Sequence, residues 1–163
     1  MGTQSLVIMG VAGCGKSTLA ALLARALGLK LVEGDDHHPE QNRQKMQAGI
    51  PLTDEDRAGW LDRLAQSLCD HPAGLVVTCS ALRRHYRDRL RAAEPELRFV
   101  HLEIEPKEAL RRVSSRGAHF FGPGLVESQF ATLESPAQEP GVLCLRAIEP
   151  PEQLAAQVAA WLR

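Results

Sequence analysis

The run Gly10–Ser17, which reads Gly-Val-Ala-Gly-Cys-Gly-Lys-Ser, restricts the fold of this chain more than any other stretch. An apolar segment, Ser5 to Met9, precedes it, and an amphipathic segment, Thr18 to Leu27, follows it. Glycines in this spacing, closed by Lys-Ser and set between a strand and a helix, make a phosphate-binding loop. Glycine lets the backbone take positive φ and approach an anion without a Cβ clash. The loop N–H groups, with the free N–H groups of the following helix, point at that anion. Contacts to a nucleoside triphosphate are therefore expected along Gly10, Val11, Ala12, Gly13, Cys14, Gly15, Lys16, Ser17 and Thr18. Lys16 brings a mobile positive charge to the β- and γ-phosphates, and the Ser17 hydroxyl is a candidate Mg²⁺ ligand.

Beyond the loop, strands and helices alternate. The pattern predicts a helix from Gly15 to Leu27 stopped by Gly28, and a second strand from Leu29 to Glu33 ending in Glu33-Gly34-Asp35-Asp36. A polar helix, exposed by its composition, is expected over His37 to Met46. Thr53 or Asp54 caps the next helix, whose Trp60, Leu61, Leu64 and Leu68 fall on one face. Leu75 to Cys79 reads as a buried strand and Ser80 to Arg91 as a strongly basic helix. A strand over Leu97 to Ile104 leads to a helix that Pro106 opens and that runs to Arg116. A glycine-bearing loop, Gly117 to Gly124, precedes a helix over Leu125 to Leu133, a short strand from Val142 to Leu145 and a C-terminal helix from Pro150/Pro151 to Leu162. Such alternation demands a mainly parallel sheet covered on both faces, and 163 residues suit one α/β domain. Ligands in these sheets bind beyond the carboxyl ends of the strands. Glu33, Asp35 and Ser80 are thereby expected on the same rim as the phosphate loop.

Composition narrows the partners. A net charge of −1 argues against a nucleic-acid binder, and the basic helix near Arg83–Arg91 lacks interleaved stacking aromatics beyond Tyr86. No apolar run is long enough to span a bilayer. The four cysteines, Cys14, Cys69, Cys79 and Cys144, form no Cys-x-x-Cys pair, and the chain opens directly into its first strand. A reduced, cytoplasmic protein is the economical expectation.

Transfer of a phosphoryl group to an alcohol needs a carboxylate that orients the hydroxyl and accepts its proton. Asp35 stands at the right rim for that task, with Glu33 able to reach Mg²⁺ through water and Asp36 able to serve in either role. Arg57, Arg83, Arg84, Arg87, Arg112 and Arg116 begin at or near the rim, and forked guanidinium groups suit phosphates and carboxylates. Arg116 opens a loop that can close over the transferring group, and His119 in that loop can add a hydrogen bond. These features define a kinase for a small polar acceptor. On residue chemistry alone, a polyhydroxy acid and a nucleoside monophosphate serve equally well, and a nucleotide-dependent switch stands as a further alternative.

Several segments together resemble the gluconokinase family, small carbohydrate kinases related to shikimate kinase. They are Met9 to Thr18; Glu33-Gly34-Asp35-Asp36-His37-His38-Pro39 with Asn42; Gly49 to Arg57 with Trp60-Leu61; Cys79 to Arg91; and Arg116 to Phe121 with Ser128 to Glu134. The resemblance implies ATP-dependent phosphorylation of D-gluconate to 6-phospho-D-gluconate, with Mg²⁺. It also implies a single three-layer domain over residues 1–163 with a five-stranded parallel sheet in the order 2-3-1-4-5, a lid at about 116–124, and a possible homodimer. By the same resemblance, Lys16, Asp35 and Arg116 are catalytic, and Arg112 lies against the adenine. Asp35, His38, Arg57, Ser80, Ala81, Leu82, Arg87 and His119 face the substrate. Glu33 replaces an expected aspartate, and Gln129 stands about where shikimate kinases place a carboxylate-binding arginine, which argues against shikimate.

Overall fold

The computed structural model describes residues 4–115 and 123–163. Its strands are β1 (Leu6–Met9), β2 (Lys30–Glu33), β3 (Leu75–Thr78), β4 (Arg98–Glu103) and β5 (Val142–Arg146). They form one sheet in the order β2-β3-β1-β4-β5. Every pairing is parallel, with Leu6 opposite both Val76 and Arg98. The expected sheet order is thus the observed one.

The helices are α1 (Lys16–Leu27), α2 (Glu40–Gln47), α3 (Asp54–Asp70), α4 (Arg84–Ala93), α5 (Pro106–Ser115), α6 (Pro123–Thr132) and α7 (Pro151–Leu162). β1 is buried on both sides, so its alternate residues feed two cores. Leu6 and Ile8 join Leu19 and Leu23 of α1 and Leu154 and Val158 of α7. Val7 and Met9 join Trp60, Leu61, Leu64 and Leu68 of α3, Leu90 of α4 and Val126 of α6. Helix α1 ends at Gly28, whose φ of 67° is the left-handed stop the sequence called for. The Thr53 hydroxyl accepts from the Asp56 N–H while the Asp56 carboxylate accepts from the Thr53 N–H, so α3 starts with a capping box.

Two segments depart from expectation. The helix foreseen over His37 to Met46 is a short 3-10 turn, Gly34–His37, followed by α2. Asn42 of α2 is fully buried rather than exposed, because α2 lies against the start of α3. The basic helix begins at Arg84, not Ser80. Ala81 has φ 46°, and a left-handed residue cannot continue a right-handed helix.

Candidate active site

The phosphate loop leaves β1 and turns into α1 with Gly10, Gly13 and Gly15 at φ 147°, 84° and 93°. At Gly13 a Cβ would also lie 2.9 Å from the Ala109 carbonyl oxygen, so α5 presses on the loop from behind. Lys16 folds back on the loop, and its Nζ donates to the carbonyls of Gly10 at 3.0 Å and Val11 at 3.1 Å. Arg112 of α5 reaches the same loop, donating to the Gly13 carbonyl at 3.3 Å and to Ala147 at 3.2 Å. Val11 and Cys14 are buried, their side chains turned into the two cores, so only their backbone can serve a nucleotide.

At the next strand end the Ser17 hydroxyl donates to Glu33 Oε2 at 3.0 Å, and Thr78 Oγ1 donates to the same oxygen at 2.7 Å. The Gly34 N–H in turn donates to Thr78 Oγ1 at 3.1 Å. Any Cβ on Gly34 would run into the Thr78 carbonyl oxygen, so glycine is required where β2 meets β3 at the rim. The hydroxyl of Ser17, its proton committed to Glu33, keeps its lone pairs for a hard cation. One hydroxyl with a carboxylate behind it fits Mg²⁺, which retains waters and takes its other oxygens from phosphate. Among the described residues no cluster of three or more His, Cys, Asp and Glu side chains offers an all-protein cage.

A cleft of ≈ 370 Å³ runs from this loop across the rim. Lys16, Ser17, Thr18, Asp35, His38, Arg57, Ser80 and Gln129 contribute polar walls, and Met46, Ile50, Leu52, Trp60, Val113 and Leu125 contribute apolar ones. Asp35 is exposed into it. His38 is 6 % exposed, and its ring stacks on Trp60 with centroids 4.1 Å apart and planes at 18°. Trp60 is held by its Nε1–H, which donates to the Gly34 carbonyl at 2.7 Å. Burial first, then the nearby guanidinium groups of Arg57 and Arg43, push the His38 imidazole down to about 4, so it is neutral at physiological pH. Arg57 donates to the Tyr86 hydroxyl at 2.9 Å, and that hydroxyl donates to Asp54. The hydrogen bond from the Tyr86 hydroxyl, first, holds the Asp54 carboxyl below its ordinary range, while burial first, then the bond to Asp54, raises the Tyr86 hydroxyl above its own.

The structure brings together most of the residues singled out from sequence, with three corrections. Arg87 does not face the cleft. It is fully buried and donates to Glu139 from Nε at 2.9 Å and Nη2 at 2.5 Å, to Ala81 O at 2.7 Å and to Glu134 O at 3.0 Å. Fully buried, with four of its five N–H groups engaged in these bonds, this guanidinium is not part of the cleft wall. Ala81 and Leu82 are likewise fully buried, and of that turn Ser80 alone lines the cleft. Arg116 and His119 lie outside the described residues.

Sequence reasoning missed the roles of Asn42, Trp60 and Gln129. Asn42 stands four residues after His38, but His38 is extended and lies outside α2, so helical spacing gives no signal for their contact. Trp60 reads as core and is core, yet its indole edge serves the rim. The Gln129 Oε1 accepts the Ala12 N–H at 2.6 Å, tying α6 to the phosphate loop.

A parallel sheet of this order, a glycine loop at the carboxyl end of its first strand and a polar cleft beside it define a P-loop kinase, which binds a nucleoside triphosphate at that loop. A family model described as an AAA domain matches residues 6–140. The gluconokinase of Gluconobacter oxydans is 45% identical over 143 residues, covering 85% of this chain and 79% of that protein. The thermoresistant gluconokinase of Escherichia coli is 39% identical over 155 residues, covering 92% and 88%. A crystal structure of a gluconokinase from Sinorhizobium meliloti superposes with a TM-score of 0.90 at 38% identity, covering 98% and 91%. The chain belongs to the gluconokinase family.

Proposed function

We propose that the protein transfers the γ-phosphoryl group of ATP to the 6-hydroxyl of D-gluconate, giving 6-phospho-D-gluconate. The observation that carries this reading is the continuity of the cleft, which joins Lys16 and Ser17 to Asp35, His38, Arg57 and Ser80 without an intervening wall. The names of the relatives supply the acceptor.

In this reading Lys16 leaves the Gly10 and Val11 carbonyls for the β- and γ-phosphates. Ser17 and, through water, Glu33 would hold Mg²⁺, which would supply neutralisation of the phosphate charge. Asp35 orients the attacking hydroxyl and takes its proton. Arg57, already stacked beside Tyr86, offers its remaining donors to the acid. Arg112 lies along the base. Segment 116–124 is the lid, and Arg116 stabilises the charge of the transferring group. The described flanks support this, since Val113 of α5 and Leu125 and Ser128 of α6 border the cleft. The same resemblance carries the reading to a cytoplasmic enzyme and to a homodimer.

A coupled ADP-release assay across D-gluconate, shikimate and AMP tests the acceptor. Turnover with gluconate is expected; turnover with shikimate or AMP and none with gluconate refutes the choice. Asp35→Asn should keep ATP binding and lower kcat by about 10²–10⁴-fold. Unchanged turnover would remove Asp35 from the mechanism.

A further inference from the structure

We propose that Asn42 is a positioning residue that fixes the proton of His38 on Nε2, making His38 and Asp35 a donor–acceptor pair that recognises one hydroxyl of the acceptor. The inference deepens the kinase reading of the cleft and rests on it.

Asn42 is completely buried on α2. Its Nδ2 lies 2.8 Å from the Asp56 carbonyl oxygen and 3.2 Å from His38 Nδ1. A backbone carbonyl can only accept, so it dictates which end of the amide faces it. Rotating the amide by half a turn would set oxygen against oxygen. The second Nδ2 proton therefore points at His38 Nδ1, which must accept it. A neutral imidazole that accepts at Nδ1 carries its proton on Nε2. The cost of this arrangement is visible in Asn42 Oδ1, a buried atom with no hydrogen-bond partner among the described residues. Asp56 is itself immobilised, its carboxylate accepting from Lys45 Nζ at 2.8 and 2.9 Å and from the Thr53 N–H.

Nε2 looks toward Asp35, with 3.9 Å between Nε2 and Oδ1. That is too long for a direct hydrogen bond. One oxygen placed about 2.8 Å from each would subtend about 90° between them, an angle a hydroxyl accommodates. A hydroxyl both accepts and donates, so it satisfies an N–H on one side and a carboxylate on the other. With the proton on Nδ1 the cleft would present two acceptors to one hydroxyl proton. The charged groups around the ring are Asp35 from the 3-10 turn, Arg43 from α2 and Arg57 from α3. Burial first, then the two guanidinium groups, keeps the ring neutral, as acceptance at Nδ1 requires.

Nitrogen-detected NMR of the intact wild-type protein at about pH 7.5 reads the tautomer directly. A pyridine-type Nδ1 and a pyrrole-type Nε2 are expected for His38. A protonated Nδ1, in either the other tautomer or the imidazolium, overturns the proposal. Asn42→Asp places an acceptor where a donor stands and should move the proton to Nδ1. The KM for gluconate should rise about tenfold or more while the KM for ATP holds. His38→Gln and His38→Leu serve where Asn42→Asp does not fold: the amide donor should recover part of the gluconate KM that leucine loses. Equal gluconate KM in wild type and His38→Leu overturns the proposal. A correct tautomer in a protein active on another alcohol refutes gluconate alone and leaves the pair standing.

Discussion

Replacing Glu139 by alanine isolates the role of Arg87. The Arg87 side chain is fully buried and that of Glu139 is 4 % exposed, so the mutation leaves a guanidinium in the core without its counter-charge. It removes the Nε and Nη2 bonds to the carboxylate and also the bond from Arg91 at 2.9 Å. Breaking such a pair by deleting one partner costs about 3–5 kcal/mol. In a chain of this length 1 kcal/mol moves Tm by about 2–4 °C, so the midpoint should fall by about 6–20 °C. Urea unfolding followed by circular dichroism gives the free energy, and its midpoint should drop without a change in slope.

Acid separates the electrostatic part. Hydrogen bonding from Arg87, first, and from Arg91 holds the Glu139 carboxyl below its ordinary range against the opposing effect of burial. A folded-state value below the unfolded one means that the contribution is complete above the unfolded value of about 4.3 and fades as pH falls through the folded one. The stability gap between wild type and Glu139→Gln should therefore begin to narrow below about pH 4.3 and close once the pH is below the folded-state value. A loss under about 1 kcal/mol for Glu139→Ala, the size of an exposed ion pair, would refute the reasoning and return Arg87 to the cleft.

Two further perturbations test other parts of the fold. His101 on β4 is 4 % exposed, and burial first, then Arg87 and Lys16, push it down to about 4, as burial does for His38. Because both folded values lie below the unfolded 6.5, stability is full above pH 6.5 and falls on acidification toward 4, by about 2 kcal/mol per histidine between pH 6.5 and 5. Urea midpoints at the two pH values should show it, and His101→Leu should remove one of the two shares. Gly34→Ala should cost about 1–3 kcal/mol by driving a Cβ into the Thr78 carbonyl, and should depress turnover because Glu33 and Asp35 flank it. Wild-type melting and kinetics in that variant would show that the rim yields freely.

The donor half of the cleft was legible because its chemistry is local. Three glycines, a lysine and a serine within one loop need only the strand before and the helix after. The sheet followed from alternation for the same reason. Arg87 and Asn42 were not legible, because their meaning depends on partners far along the chain. Glu139 lies 52 residues from Arg87, and Asp56 lies 14 residues from Asn42. In isolation each is a polar residue on a polar helix. The turn at Ser80–Arg83 misleads differently. Ala-Leu-Arg-Arg is strong helix-forming sequence, yet Ala81 is left-handed. A residue in that region costs about 1 kcal/mol or more and persists only where neighbours enforce it. Here Arg87 holds the Ala81 carbonyl, and the Glu134 N–H donates to Leu82 O at 2.7 Å.

The same argument changes the meaning of the arginines. Forked cations around a rim suggest phosphate and carboxylate binding, and Arg57 retains that reading. Arg43, Arg63 and Arg87 instead spend donors on backbone carbonyls. Arg43 donates to Asp36 O at 3.1 Å, Arg63 to His37 O at 3.0 Å and Arg87 to Ala81 O, while Trp60 does the same at Gly34 O. Loop carbonyls at a sheet's rim have no ladder partner, and the buried ones, Gly34 O and Ala81 O, would destabilise the fold if left unpaired. Long side chains from α2, α3 and α4 supply the missing donors. Gly34, Asp36, His37 and Ala81 bracket Asp35, His38 and Ser80, so pinning these carbonyls fixes the side chains that line the acceptor half. Substitution of Arg43 or Arg63 is accordingly expected to raise the acceptor KM through the backbone while the KM for ATP holds, and an unchanged acceptor KM would refute this.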